Sequence, residues 1–240
     1  MRAASEGVDL RSKELTTMVD ECRFEIPDGC REFGETSFDE RLWVARGFIE
    51  KFVKRVATPK GILDASDEAW TQSVRRRFIE ICPEGCYALP GDPLTRKGEY
   101  LADYTWAEEE NGKRVLLASE SEWGSGRFGR THWTPVEHDF EKLLAIKAPF
   151  KILIFSSICD PYGTMQETDF SFDYAKEKLK VSLENYGHHI PGEVYIFIDF
   201  PQTRKPDGDG KYQSFIWLAK KFGKDEVELI KGPGANLIRP

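Results

Sequence analysis

The chain has 240 residues, 40% hydrophobic and 12% aromatic, enough to bury a core and too apolar for a disordered chain. A net charge of −7 argues against indiscriminate nucleic-acid binding while leaving room for a local basic patch. Five cysteines, an odd number in a chain this long, do not make a disulfide framework, and no apolar run is long enough to span a bilayer. With no secretory signal at the amino end, the expected compartment is the cytoplasm, with no membrane partner.

Residues 1–36 are polar and mixed in charge, with a short strand expected around Cys22 to Ile26, and read as a peripheral N-terminal arm. From Ser37 the pattern changes. Leu42, Ala45, Phe48, Ile49, Phe52, Val53 and Val56 recur at helical spacing, with Ser37 as cap and Asp39 and Glu40 in the first turn. The other face of this helix carries Arg41, Arg46, Lys51, Lys54 and Arg55 and reads as a solvated face or one that tracks phosphates. A second helix starts near Ser66 and buries Trp70, Val74, Phe78 and Ile81, leaving Arg75, Arg76, Arg77 and Glu80 on its polar face. Cys82-Pro83-Glu84-Gly85-Cys86 ends it. The cysteine spacings do not fit a zinc knuckle.

Glu99 to Trp123 reads as two β-rich runs joined by Asn111-Gly112, residues that tolerate the positive φ of a tight hairpin. With those two as the loop, Glu110 faces Lys113 and paired residue numbers sum to 223. Asp103 then lies opposite Glu120, with Glu122 as diagonal neighbour on the same face. Opposed side chains in a sheet have Cβ atoms only about 5 Å apart, and like charges so placed are destabilising. A divalent cation between them reverses the sign. Oxygen-only donors select a hard ion, Mg²⁺ or Mn²⁺, over zinc. The alternative is a solvated acidic strand face.

The following loop, Gly124 to Trp133, holds Arg127, Arg130 and His132 among aromatics and suits contact with phosphates and bases, or packs back on the core. Thr134-Pro135-Val136-Glu137 has the form of a capping box opening a helix with Val136, Phe140, Leu143 and Leu144 on its apolar face. Phe150 to Phe155 is a short apolar run, as in a strand buried on both faces. A helix over about 169–186, a strand over 194–200, a turn at 204–211, a return strand over 212–218 and one more over 226–230 complete the pattern. Together these predict an α/β fold with a mixed central sheet flanked by helices, and a single domain over 37–240.

A helix carrying a Glu, a strand with Asp103, a hairpin partner with Glu120-Ser121-Glu122, a helix and a buried strand: this order resembles the core of the PD-(D/E)XK nuclease superfamily, the restriction-endonuclease-like fold, over roughly Ser66 to Ser157. The resemblance implies a nuclease that hydrolyses phosphodiester bonds with a divalent metal. It gives metal-holding roles to Asp103 and Glu120, with Glu80 assisting from the preceding helix. Ala102 replaces the motif's Pro, and Glu122 stands where the motif has Lys. In some members a motif residue has moved to the next helix, where this chain offers Lys142, which otherwise is a helix residue paired with Asp139 or His138. Glu122 or Lys142 would orient the attacking water, and Arg75, Arg76, Arg77, Arg127 and Arg130 would hold phosphates of a nucleic acid, DNA before RNA. A homodimer is compatible with this. The rivals are a non-catalytic relative kept as a binding or assembly module, and a Mg²⁺-dependent hydrolase of small phosphorylated compounds.

Overall fold

A computed structural model describes residues 24–34, 38–56, 67–90, 102–109, 114–123, 133–159, 170–200, 202–203, 212–220 and 223–231. The periodicities become four α-helices: α1 (Phe38–Val56), α2 (Asp67–Glu80), α3 (Trp133–Ala145) and α4 (Phe172–Asn185). The strands are β1 (Tyr87–Leu89), β2 (Tyr104–Ala107), β3 (Val115–Glu122), β4 (Phe150–Phe155), β5 (Ile158–Cys159), β6 (Val194–Asp199), β7 (Gln202–Thr203), β8 (Gln213–Lys220) and β9 (Gly223–Lys231). Seven of them form one mixed sheet in the order β1-β2-β3-β4-β6-β8-β9, and β5 pairs with β7 apart from it. The central strands β3, β4 and β6 are parallel, and the outer pairs are antiparallel.

Alternation along the strands divides the core. Trp106, Leu117, Ile152, Ile154, Ile196 and Ile198 point to one face and pack with Phe48, Phe52 and Phe78 of α1 and α2. Ala118, Leu153, Phe155, Tyr195 and Phe197 point to the other, against Val136, Phe140 and Leu143 of α3 and Leu179 and Leu183 of α4. Central strands covered on both faces are why β4 and β6 read as unbroken apolar runs. Trp106 ties the first face together, its ring against Phe24, Phe48 and Phe78 and its Nε1 donating to the Phe78 carbonyl at 3.0 Å.

Several expectations change. Residues 24–34 are not peripheral: Phe24, Ile26 and Cys30 are in the core, and the Phe24 N–H donates to the Ile81 carbonyl at 3.1 Å. Arg41, assigned to a solvated helix face, is 1% exposed and directs its guanidinium to the carbonyls of Gly29, Cys30, Glu32 and Gly192. Gly192 is at φ +94°, and a Cβ there would lie 2.3 Å from the Gly34 carbonyl oxygen, so only glycine fits this close approach. The strand β1 has no counterpart in the sequence reading. Thr134 and Pro135 lie inside the first turn of α3, where a missing N–H costs nothing, rather than at its boundary. The Asn111-Gly112 turn, the Gly124 to His132 loop and the 204–211 turn fall outside the described residues.

The hairpin register is observed where it matters. Tyr104 pairs with Ser119, Thr105 with Ala118 and Trp106 with Leu117, each summing to 223. Towards the turn the register shifts, so that Ala107 pairs with Val115 and a bulge separates it from Trp106. One step beyond Tyr104 and Ser119 the same register sets Asp103 opposite Glu120.

Candidate active site

Asp103 precedes β2 and Glu120 and Glu122 close β3, so all three lie at the carboxyl edge of the parallel strands, where open α/β sheets place ligands. The register fixes the faces. Glu120 pairs with Leu153 and Leu153 with Phe197, both on the α3 and α4 side, which turns Glu120 towards α3.

Glu120 is 1% exposed, and neither carboxylate oxygen has a hydrogen-bond partner. Burial, then the nearby carboxylates of Asp103 and Asp139, push its pKa up to about 8, with the Lys142 ammonium and the Asp103 backbone pulling more weakly the other way. Lys142 Nζ is 3.6 Å from Glu120 Oε1 and 2.8 Å from Asp139 Oδ1. Asp103 is anchored differently: its Oδ2 accepts from the Ser121 N–H at 2.8 Å and from the Ser121 hydroxyl at 3.0 Å. Tyr104, next in β2, donates to the Thr71 carbonyl of α2 at 3.1 Å. This ties the amino-terminal half of α2 to the site end of the hairpin.

The structure thus brings together Asp103, Glu120 and Lys142, adds Asp139, and leaves Glu122 partly exposed at the end of β3, in register with Phe155. Glu80 is not among the charged groups that act on Glu120. Phe78 of α2 meets β2 at two places, its carbonyl accepting from Trp106 Nε1 at 3.0 Å and its ring stacked on Tyr104 with centroids 4.9 Å apart. Glu80 lies beyond Phe78 and is engaged by Arg77 at 2.8 Å. Arg77 is 5% exposed and also donates to the Lys51 carbonyl at 2.9 Å, which makes it a tie between α1 and α2 rather than a phosphate contact. Arg75 is partly exposed and Arg76 exposed, while Arg127 and Arg130 are outside the described residues.

Asp139 was legible only as a helix partner of Lys142; its place beside Glu120 follows from how α3 packs across β3. At the same edge of the sheet, Asp199 ends β6 fully buried, accepting from the Ser157 N–H at 2.7 Å and from its hydroxyl at 2.6 Å. Burial raises the Asp199 pKa to about 7. The folded chain therefore holds a proton that the unfolded chain has released between about pH 4 and pH 7, and stability falls as pH rises through that window. Asp199→Asn is expected to remove on the order of 3–4 kcal/mol of this fall, read as the difference in urea unfolding free energy between the two ends of the window. An Asn variant with the wild-type pH slope would mean that Asp199 ionises freely.

For a metal, the donor set fits in kind. A buried carboxylate without hydrogen bonds, among other carboxylates, is the kind of oxygen donor that hard cations take. Among the described residues no group of three or more His, Cys, Asp or Glu side chains is arranged to hold a metal ion. Mg²⁺ does not require one, since it keeps several waters and is held by one or two carboxylates together with substrate phosphate. No protein-family model, no curated protein and no solved structure matches the chain. Among the described residues no helix is long and apolar enough to cross a membrane.

Proposed function

We propose that this chain is a divalent-metal-dependent nuclease with a restriction-endonuclease-like core, and that Glu120 is the centre of its active site. The observation that carries the reading is Glu120 itself, buried, without hydrogen-bond partners, facing two other carboxylates and 3.6 Å from a lysine. Burying a carboxylate this way is costly unless a partner is provided. The order α2, β2, β3, α3 and then the buried β4 supports the same reading, because it is the sequence of helix, strand, hairpin partner, helix and buried strand on which the resemblance rests.

Glu120 and Asp103 would hold Mg²⁺ or Mn²⁺, with Ser121 fixing Asp103 through two hydrogen bonds to one of its oxygens. When bound, the metal would polarise the scissile phosphate and make water a better nucleophile at neutral pH. Lys142, 37% exposed, lies beside two carboxylates and is placed to hold a phosphate oxygen or the attacking water. It takes the role of the motif lysine, for which β3 has Glu122. Arg75 and Arg76 of α2 would meet backbone phosphates, giving binding that weakens steeply with salt.

Labelled DNA and RNA, each single- and double-stranded, incubated with the full chain and Mg²⁺ or Mn²⁺ provide the test. Cleavage is expected for at least one substrate, reduced at least about a hundredfold by Asp103→Asn or Glu120→Gln, since even residues that only orient metal ligands cost 10–100-fold. Cleavage that survives both substitutions would sink the assignment. Salt-sensitive binding without cleavage would favour the binding module, which the partial donor set at the site also allows.

A further inference from the structure

Lys142 stands between two carboxylates and sits closer to the one that needs it less. Asp139 precedes it by three residues on α3, the spacing at which helix side chains meet, and the two pair at 2.8 Å. Glu120, across on β3, is the more deeply buried carboxylate and has no hydrogen-bond partner, yet the ammonium stops 3.6 Å short of it. The Asp139 side chain is 13% exposed and that of Lys142 37%, so the pair lies at the rim of the site. A lysine side chain is long and flexible enough to close so small a gap. The short pair with Asp139 competes with Glu120 for the ammonium.

We propose that Asp139 is a positioning residue that holds the Lys142 ammonium to one side of Glu120, keeping Glu120 open to a divalent cation while leaving the lysine at the rim of the site. The inference rests on reading Glu120 as a cation ligand. Without Asp139, the ammonium moves onto Glu120, forms an ordinary salt bridge and competes with the metal for the same oxygens. Asp139 thus acts on the metal through Lys142. Its negative charge also attracts a cation directly, but that effect is the same whatever residue occupies position 142.

The difference sets the test: Mn²⁺ titration calorimetry on the full chain as wild type, Asp139→Asn, Lys142→Met and the double variant. Thermal unfolding in chelator confirms that each is folded, and Asp139→Ser replaces the Asn variant in the cycle if that one is not. Asp139→Asn is expected to weaken Mn²⁺ binding about tenfold with Lys at position 142 and no more than about threefold with Met there, a coupling of the size found between contacting residues. Equal weakening in the two backgrounds would overturn the positioning role while leaving Glu120 as ligand. A wild-type chain that takes up no Mn²⁺ would overturn both.

Discussion

In chelator, Glu120→Gln is expected to unfold at a higher temperature than the wild-type chain above about pH 8, by on the order of 10 °C. The cause is the carboxylate's surroundings. Its pKa is pushed up to about 8 by burial and by Asp103 and Asp139, so the folded state keeps a proton that the unfolded chain gives up near pH 4.5. The contribution of the neutral form is fully present below about pH 4.5 and is lost as pH rises to about 8, a total on the order of 3–5 kcal/mol. Gln cannot ionise and its amide can donate to the neighbouring carboxylates, so the variant escapes that loss. The gap between variant and wild type should therefore close on acidification, and a variant less stable than wild type at alkaline pH would mean that Glu120 has a partner that satisfies it. A residue that weakens the fold in order to be available is the usual mark of a functional position.

Arg41→Met is expected to destabilise the chain by about 2–4 kcal/mol, because hydrogen bonds from a charged donor to buried carbonyls are each worth about 1.5–3 kcal/mol and the loss is only partly offset by no longer burying a cation. The guanidinium reaches Gly29, Cys30 and Glu32 of the amino-terminal segment and, at 3.0 Å, Gly192 in the turn before β6. It clamps two stretches far apart in sequence against α1. Burial draws its pKa down from the usual guanidinium range. Urea unfolding reads the loss, and protease cleavage within residues 24–34 should accelerate with it. A change of under about 0.5 kcal/mol, ordinary for a surface site, would show that the clamp is dispensable.

Arg41 also shows what a linear pattern cannot carry. Its charge suggests a solvated face of α1, yet it stands four residues before Ala45 and seven before Phe48 on the apolar stripe, covered by a segment with no strong pattern of its own, while Glu50 on the opposite side of the helix is exposed. Lys151 and Glu193 are similar: each sits at the start of an apolar strand, and together with Tyr195 they form a buried network, Lys151 Nζ to Glu193 Oε1 at 3.0 Å, that only the parallel pairing of β4 with β6 brings together. The strand β1 has three residues, too few for alternation to declare itself. By contrast the helices and the buried strands were legible because their apolar positions repeat at the period their faces require. The register beside the site, Tyr104 with Ser119, was legible too, although a bulge between Trp106 and Ala107 shifts it towards the turn.

At the site, the acidic residues of the hairpin could be placed from sequence because they lie on neighbouring strands joined by a short connection. Asp139 could not, because the crossing of α3 over β3 is set by Val136, Phe140 and Leu143 packing on the sheet, not by any spacing in the chain. Glu80 could not be placed from sequence either, for the complementary reason. Its helix was correctly found, but where α2 meets β2 depends on the bonds from Tyr104 to Thr71 and from Trp106 to Phe78.

The central claim is that Glu120 is buried without a hydrogen-bond partner because a divalent cation is the partner it is kept for. Thermal unfolding of the wild-type chain and of Glu120→Gln, each with chelator and with millimolar Mn²⁺, tests it most directly. The expected result is a reversal: Gln is the more stable in chelator, and Mn²⁺ raises the wild-type midpoint alone, by the roughly 2–3 kcal/mol that a ligand at about a hundred times its Kd confers. If Mn²⁺ shifts neither protein, or shifts both equally, Glu120 is not the seat of a cation and the proposed nuclease site is wrong.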